Sequence, residues 1–206
     1  MFASLPRLAT SPGAAWTDIR TNHDHHPWGF LPLMLLGPLI PAICVYIGGA
    51  HIGWEVFGND TERQLLKPVS AATLGLMVYL GFLTGLVIMG VLTRWVLFKV
   101  PQRPSFVTAT AFMTVVAVPM MLAGFVGLVP YRPAILLVAL LASALSAILL
   151  FFGLPNYMKM SRNDSTRFLG VCILALGIIT VVTTAFYFQE FWREPITGNY
   201  RNLIDS

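Results

Sequence analysis

Charged side chains are scarce in this sequence. Only 11% of the 206 residues are Asp, Glu, Lys or Arg, and 56% are hydrophobic, whereas soluble domains average about 25% charged residues. A water-soluble domain of this size could not cover so much apolar surface with so few polar groups. The net charge of +4 is small, and the basic residues lie in short segments between apolar runs. The composition therefore argues against a nucleic-acid partner.

Cysteine is scarcer still. The two cysteines, Cys44 and Cys172, both lie inside apolar runs, where a small buried thiol is the simplest interpretation. A disulfide framework or a cysteine-based metal site needs more cysteines at closer spacing. A continuous apolar run is also absent from residues 1–27, so no cleavable signal peptide is predicted.

Long apolar runs, by contrast, fill most of the chain. About 20 apolar residues in a helix cross the hydrocarbon core of a bilayer. The predicted spans are residues 31–54, 71–93, 107–129, 134–154 and 168–188. We therefore expect an all-α integral membrane protein surrounded by the lipid bilayer. A bundle of five transmembrane helices, within residues 28–188, should separate a polar N-terminal tail, residues 1–27, from a polar C-terminal tail, residues 189–206.

Prolines interrupt two of these spans. Pro38 and Pro41 lie in the first span, and Pro119 lies near the middle of the third. Because proline removes a backbone donor and clashes with the preceding turn, both spans should bend. The turn from Pro130 to Pro133 is short, so the third and fourth spans are predicted to be antiparallel neighbours.

The distribution of Lys and Arg predicts the orientation. With the N-terminus in the cytoplasm, eight of these residues fall in cytoplasmic segments and five fall in outer segments. Basic residues in short loops favour the cytoplasmic side. Five spans then place the N-terminus in the cytoplasm and the C-terminus outside.

Glycines in the second span predict close helix packing. Gly81 and Gly85 have the GxxxG spacing, and Gly90 follows them. Small residues at this spacing let two backbones approach each other in a membrane. Gly81, Gly85 and Gly90 are therefore expected to face another helix rather than lipid.

A histidine-rich segment precedes the first span. His23, Asp24, His25 and His26 carry the chemistry of metal ligands, but adjacent residues on a fixed backbone cannot easily converge on one ion. Weak metal binding by a flexible tail is the alternative. We predict a solvated tail at the membrane interface, with no metal site and no cofactor.

The loop before the third span is the candidate contact site for a partner. It contains Pro101, Gln102, Arg103 and Pro104. Its two prolines stiffen the chain, so little conformational entropy is lost on docking. Arg103 offers a planar set of donors that suits a carboxylate or a lipid phosphate. The alternative is a tight connector whose charge helps to set the topology.

Several segments together resemble the Yip domain family. These are the histidine-rich tail, GPLIPAICVYIGGAHIGWEVFG at residues 37–58, PQRPS at 101–105 before a span with a central proline, and GLPNYMKMSRNDSTRF at 153–168. The resemblance covers roughly residues 22–187 and is closer to the small bacterial members. Gly37 and Pro38 match the DLxGP motif of the eukaryotic members, but its acidic residue is absent here. The resemblance implies five transmembrane helices, a cytoplasmic N-terminus and a location in the bacterial inner membrane.

Function is less closely defined by the residues. The eukaryotic members bind prenylated Rab GTPases, an activity without a counterpart in bacteria. A nucleophile with its base, a pair of carboxylates near one span end, a P-loop and a dinucleotide fingerprint are all missing. We therefore predict a non-enzymatic accessory or scaffolding protein that binds another integral membrane protein or complex. The alternative is a transporter or lipid-handling protein, because discontinuous helices often line substrate sites. The lack of charge inside the spans argues against that alternative.

Overall fold

Helices form most of the protein. The computed structural model describes residues 5–55, 63–99, 103–161, 163–193 and 200–201. Two helices precede the first span, α1 (Arg7–Thr10) and α2 (Pro12–His25). The remaining α-helices are α3 (Leu31–Leu36), α4 (Leu39–Ile47), α5 (Pro68–Val96), α6 (Phe106–Val116), α7 (Val118–Ala123), α8 (Arg132–Asn156) and α9 (Asp164–Arg193).

The described part of the chain has five candidate membrane spans when the bent third span is counted. Four apolar helical segments there are long enough to span a bilayer: Leu31–Ile52, Pro68–Val96, Pro133–Asn156 and Ser165–Phe186. The fifth consists of Phe106–Val116 and Val118–Leu128, which meet at 41°. The large apolar side chains on the outer faces of α5, α8 and α9 are exposed, as expected where helices face lipid. The predicted all-α membrane fold is confirmed.

Packing at the two ends of the bundle supports this count. The start of α6 lies beside α2, since His23 contacts Thr108. The far end of the third span lies against the second half of the first, where a Cβ on Gly127 would be 3.4 Å from the backbone of Cys44. The segment from α6 to Leu128 therefore runs from one end of the bundle to the other.

The first span is interrupted where its prolines begin. α3 ends at Leu36, and α4 starts at Leu39 after Gly37 and Pro38. Pro41 lies inside α4 without ending it. A π-helical turn, Gly48–Ile52, completes the span before Gly53, whose φ of 77° favours glycine. Pro38 thus divides the span, as proline chemistry predicts.

The third span forms the centre of the bundle. Every residue from Thr108 to Val116 in α6 is buried, and α6 contacts α3, α5 and α8. The bend at Ala117 precedes Pro119, which confirms the predicted kink. α7 packs along α8, so the third and fourth spans are neighbours, as expected.

The two interrupted spans pack directly against each other. A Cβ on Gly37 would collide with the sulfur of Met121 in α7, and one on Gly124 would lie 2.5 Å from Cα of Pro41. Only glycine permits such a close approach between the first and third spans. The breaks in the first and third spans are therefore held together in the middle of the protein.

Short strands add to the helical architecture at the end of the bundle opposite α2. β1 (Trp54–Glu55) pairs antiparallel with β2 (Arg63–Leu66), and β2 pairs antiparallel with β3 (Tyr200–Arg201). The predicted polar C-terminal tail, residues 189–206, thus contains regular structure in its described part. α9 continues to Arg193, and Tyr200 and Arg201 pair with the segment that follows the first span.

The prediction of a solvated N-terminal tail is wrong for α2. Trp16 and Ile19 are 0% and 1% exposed, and Ala15 and His23 are also buried. These positions fall on one face of the helix, with apolar residues three or four apart. Ala15, Trp16 and Ile19 join the main hydrophobic core with residues of α6 and α8. Because the rest of the segment is polar, its overall composition did not indicate this narrow apolar stripe.

Candidate functional site

Three aromatic rings join α2 to the bundle. The ring centroid of Trp16 lies 5.1 Å from that of Phe112 in α6 and 5.5 Å from that of Tyr157 just after α8. The Phe112 and Tyr157 rings are stacked at 5.6 Å. All three side chains are fully buried. A Cβ on Gly153 would lie 2.9 Å from the Trp16 ring, so a glycine is required where α2 approaches α8.

Charged groups flank this aromatic cluster. The Arg20 guanidinium lies 5.3 Å from the centroid of the Tyr157 ring, and its Nε is 3.0 Å from Oδ1 of Asp24. Oδ2 of Asp24 lies 3.6 Å from Nζ of Lys159. Burial by itself would raise the pKa of the Asp24 carboxyl, but Arg20 and then Lys159 lower that pKa below its ordinary value. The ion pairs remain accessible to solvent, with side chains that are 22% to 57% exposed, and screened pairs each contribute about 0–1 kcal/mol. The aromatic core therefore dominates the docking of α2.

His23 contacts the first turn of α6. Its Nε2 lies 3.3 Å from Oγ1 of Thr108, which in turn lies 2.9 Å from Oγ of Ser105. Ser105 caps α6, because its Oγ accepts a hydrogen bond from the Thr108 backbone N–H at 3.1 Å. Burial lowers the pKa of the His23 imidazole, Arg20 lowers it further, and Asp24 partly opposes both.

A groove opens beside this polar chain, at the end of the bundle where α2 lies. We call it the N-terminal groove; its volume is about 280 Å³. It is lined by His23, Asp24, Pro27, Trp28, Ser105, Val107 and Thr108. Trp28 is 61% exposed and stacks on the buried Phe30 at 6.4 Å. The groove therefore joins the histidine-rich segment to the residues that follow the proline-rich loop.

The proline-rich loop leads directly into this groove. Pro101 and Gln102 lie outside the described residues. Arg103 is exposed, with its guanidinium 4.4 Å from the centroid of the Phe98 ring, and Pro104 is partly buried. Ser105, the next residue, forms part of the groove wall. Contact between this loop and a partner remains a prediction.

The glycines of α5 differ from one another in their surroundings. A Cβ on Gly90 would collide with the Thr110 hydroxyl and would lie 3.1 Å from Thr110 Cα, so the backbones of α5 and α6 meet there. A Cβ on Gly85 would meet nothing within 4 Å. The expectation of close packing is therefore wrong for Gly85 within this chain, because its side of α5 is turned away from α6. Gly81 is partly buried, and its predicted role stays a prediction.

The histidine cluster is divided by the helix that carries it. His23 points inward, whereas His25 and His26 are exposed. In the described part of the chain, three or more His, Cys, Asp or Glu residues do not come together in a metal-binding group. Sequence reasoning missed Trp16, Thr108 and Tyr157. The spacing of Ala15, Trp16, Ile19 and His23 on one helical face was a signal for Trp16, whereas no local pattern pointed to Thr108 or Tyr157.

These observations define the protein as an all-α, multi-pass integral membrane protein whose N-terminal helix is part of the packed domain. The Yip1 domain profile matches residues 7–184, and the chain belongs to the Yip1 domain family. The match begins at Arg7, so it includes α1 and α2 as well as the spans.

Known relatives agree with this assignment. The chain is 30% identical over 173 residues to the inner membrane protein YohC of Escherichia coli strain K12. The aligned residues cover 82% of this chain and 84% of the relative. The YohC protein of Escherichia coli O6:H1 matches to the same extent. No solved structure matches the chain. With its membrane-length apolar helices, this protein is likewise an inner-membrane protein.

Proposed function

We propose that this protein is a non-enzymatic accessory protein that binds another integral membrane protein at the N-terminal groove. The exposed Trp28 in the groove wall is the observation that supports this proposal most directly. Tryptophan is enriched among the residues that dominate binding energy at interfaces. Trp28 is also held in place by its stacking on Phe30, so little side-chain entropy is lost on binding.

The position of the groove favours a partner within the membrane. Pro27 and Trp28 directly precede the first span, and Ser105 directly precedes the third. A partner that fills the groove therefore lies beside the bundle at the level where the spans begin. From the distribution of basic residues, we propose that this end of the bundle faces the cytoplasm.

The chemistry of the groove favours binding over catalysis. A serine nucleophile needs a base within hydrogen-bond reach. Here the Ser105 hydroxyl caps α6, while His23 contacts Thr108. The carboxylate of Asp24 pairs with Arg20 and Lys159. The candidate acid–base groups are therefore occupied in holding α2 and α6 together.

Site-specific photo-crosslinking in cells tests the proposal. A benzophenone-bearing phenylalanine at position 28 should capture a discrete protein partner. The matched control is the same residue at position 131, because Tyr131 is also an exposed aromatic, at 56%, but follows the far end of the third span. Equal capture from both positions, or capture of lipid alone from position 28, contradicts the proposal.

A pair of substitutions tests the contribution of Arg103. If its guanidinium makes a directional contact with the partner, both Arg103→Glu and Arg103→Gln should reduce crosslinking from position 28 while leaving the topology unchanged. Full crosslinking in both variants indicates that residues 101–104 only connect two spans.

Transport or lipid handling is the second candidate function. The contact between the interrupted first and third spans favours it, because transporters place their substrate sites at discontinuous helices. Purified protein in liposomes should then move a solute or a lipid across the bilayer. Liposomes whose permeability and lipid distribution match those of protein-free controls argue against this function.

A further inference from the structure

The C-terminal half of α2 is held to the bundle through His23. His23 is 7% exposed, and its imidazole lies between three elements. Its Nε2 contacts Thr108 of α6, and its ring centroid lies 5.9 Å from that of Tyr157 after α8 and 6.5 Å from that of Phe30 before α3. His23 is thus the polar group at the centre of the docking surface of α2.

The hydroxyl groups beside His23 match a neutral imidazole. Ser105 Oγ accepts the Thr108 N–H, so its hydroxyl hydrogen is free to be donated to Thr108 Oγ1 at 2.9 Å. The Thr108 hydroxyl can then donate to His23 Nε2 at 3.3 Å. A protonated imidazole donates from both ring nitrogens. Protonation of this tautomer therefore reverses the hydrogen bond between His23 and Thr108, and the Thr108 hydroxyl must turn toward Ser105 Oγ.

The charged groups around His23 do not favour a third positive charge. On its own helix, Arg20 and Asp24 form an ion pair. After α8, Lys159 contacts the same carboxylate, and the Tyr157 ring faces both His23 and Arg20. Phe30 and the first turn of α6 contribute no titratable side chain. One carboxylate thus already serves two cations before His23 gains a proton.

The docking of α2 is also weakened by two buried donors. Trp16 Nε1 and Tyr157 OH lack a hydrogen-bond partner among the residues that the structure describes. An unsatisfied buried polar group opposes burial, so these two donors do not add to the stability that the aromatic contacts give the docked helix.

We propose that His23 is a proton-sensitive latch, and that protonation of its imidazole releases the C-terminal half of α2 from α6 and Tyr157. Because His23 and Asp24 also line the N-terminal groove, release changes the shape of that groove. Only this consequence, control of partner binding by pH, rests on the proposed function. The latch itself is a property of the isolated protein.

The direction of the pH effect follows from the linkage between proton binding and the docking of α2. The docked state lowers the pKa of His23, so it binds fewer protons than the released state. Docking is therefore most stable above the ordinary imidazole pKa of 6.5 and weakens as the pH falls below it. If only the released state is protonated, the equilibrium shifts by at most about tenfold between pH 7.5 and 5.5. Asp24 stays ionised across this window, since its pKa is lowered.

Hydrogen exchange on the full chain in lipid nanodiscs measures this equilibrium. The protection factor of the amides from residue 19 to residue 25, each rate divided by the intrinsic rate at the same pH, should fall by up to tenfold between pH 7.5 and 5.5. Amides of α8 serve as an internal reference and should keep their protection. An unchanged protection factor in α2 overturns the latch.

Variants assign the effect to His23. In His23→Gln, an amide can still contact Thr108 but does not titrate, so the pH response should disappear. The matched control is His26→Gln, because His26 is exposed, and it should retain the response. If His23→Gln releases α2 at both pH values, His23→Phe provides an apolar replacement that should stay docked at both. A wild-type response in either His23 variant overturns the proposal.

Crosslinking from position 28 separates this inference from the proposed function. If the latch operates but position 28 captures no protein at either pH, the proposed function fails and the latch stands. If position 28 captures a partner while the protection of α2 does not depend on pH, the latch fails and the proposed function stands.

Discussion

Replacement of Trp16 by alanine should release α2 from the bundle. The Trp16 side chain is 0% exposed and packs on Phe112, Gly153 and Tyr157. Burying about 200 Å² of aromatic surface at about 25 cal/mol per Å² contributes roughly 5 kcal/mol. The unpartnered Nε1 reduces this by about 1–3 kcal/mol. We therefore expect Trp16→Ala to weaken docking by roughly 3 kcal/mol, within the range of other large-to-small substitutions.

Limited trypsin digestion detects this release. Arg20 lies on α2, and its backbone becomes accessible to the protease only when the helix opens. A loss of about 3 kcal/mol raises the open population by roughly 100-fold, because each 1.4 kcal/mol is a factor of ten. The initial rate of cleavage after Arg20 should rise by a similar factor at low protease concentration.

The matched control for this experiment is Trp28→Ala. It makes the same chemical change at a side chain that is 61% exposed, so the cleavage rate after Arg20 should change less than threefold. A wild-type cleavage rate in Trp16→Ala would refute the argument that α2 is held mainly by its aromatic contacts.

Two further predictions concern packing and topology. Gly90→Leu should destabilise the protein by about 1–3 kcal/mol, because the side chain must displace Thr110. Gly85→Leu, with open space around its Cβ position, should keep the wild-type melting temperature in detergent. The reverse order of stabilities would show that α5 is rotated about its axis. A topology reporter fused after Ser206 should be active outside the cytoplasm and one fused at the N-terminus inside it; two fusions on the same side would contradict five spans.

The membrane fold could be predicted from sequence because its signals are local. The length of an apolar run is compared with the thickness of the bilayer, and that comparison needs no knowledge of neighbouring helices. The bend at Pro119 is local in the same sense, since proline removes its own donor and disturbs the preceding turn. Family membership was likewise evident in short motifs, from Gly37-Pro38 to the segment after α8.

Only the tertiary structure decided which faces of these helices meet. Gly85 and Gly90 lie on one helix, yet only Gly90 approaches another backbone, because packing of whole helices determines how each is rotated about its axis. In the same way, His23 lies on the face of α2 that packs against the bundle, whereas His25 and His26 are exposed. Trp16 and Tyr157 are 141 residues apart in sequence, and no local pattern connects them. Their contact, and the groove beside it, exist because α2 folds back onto the ends of the third and fourth spans.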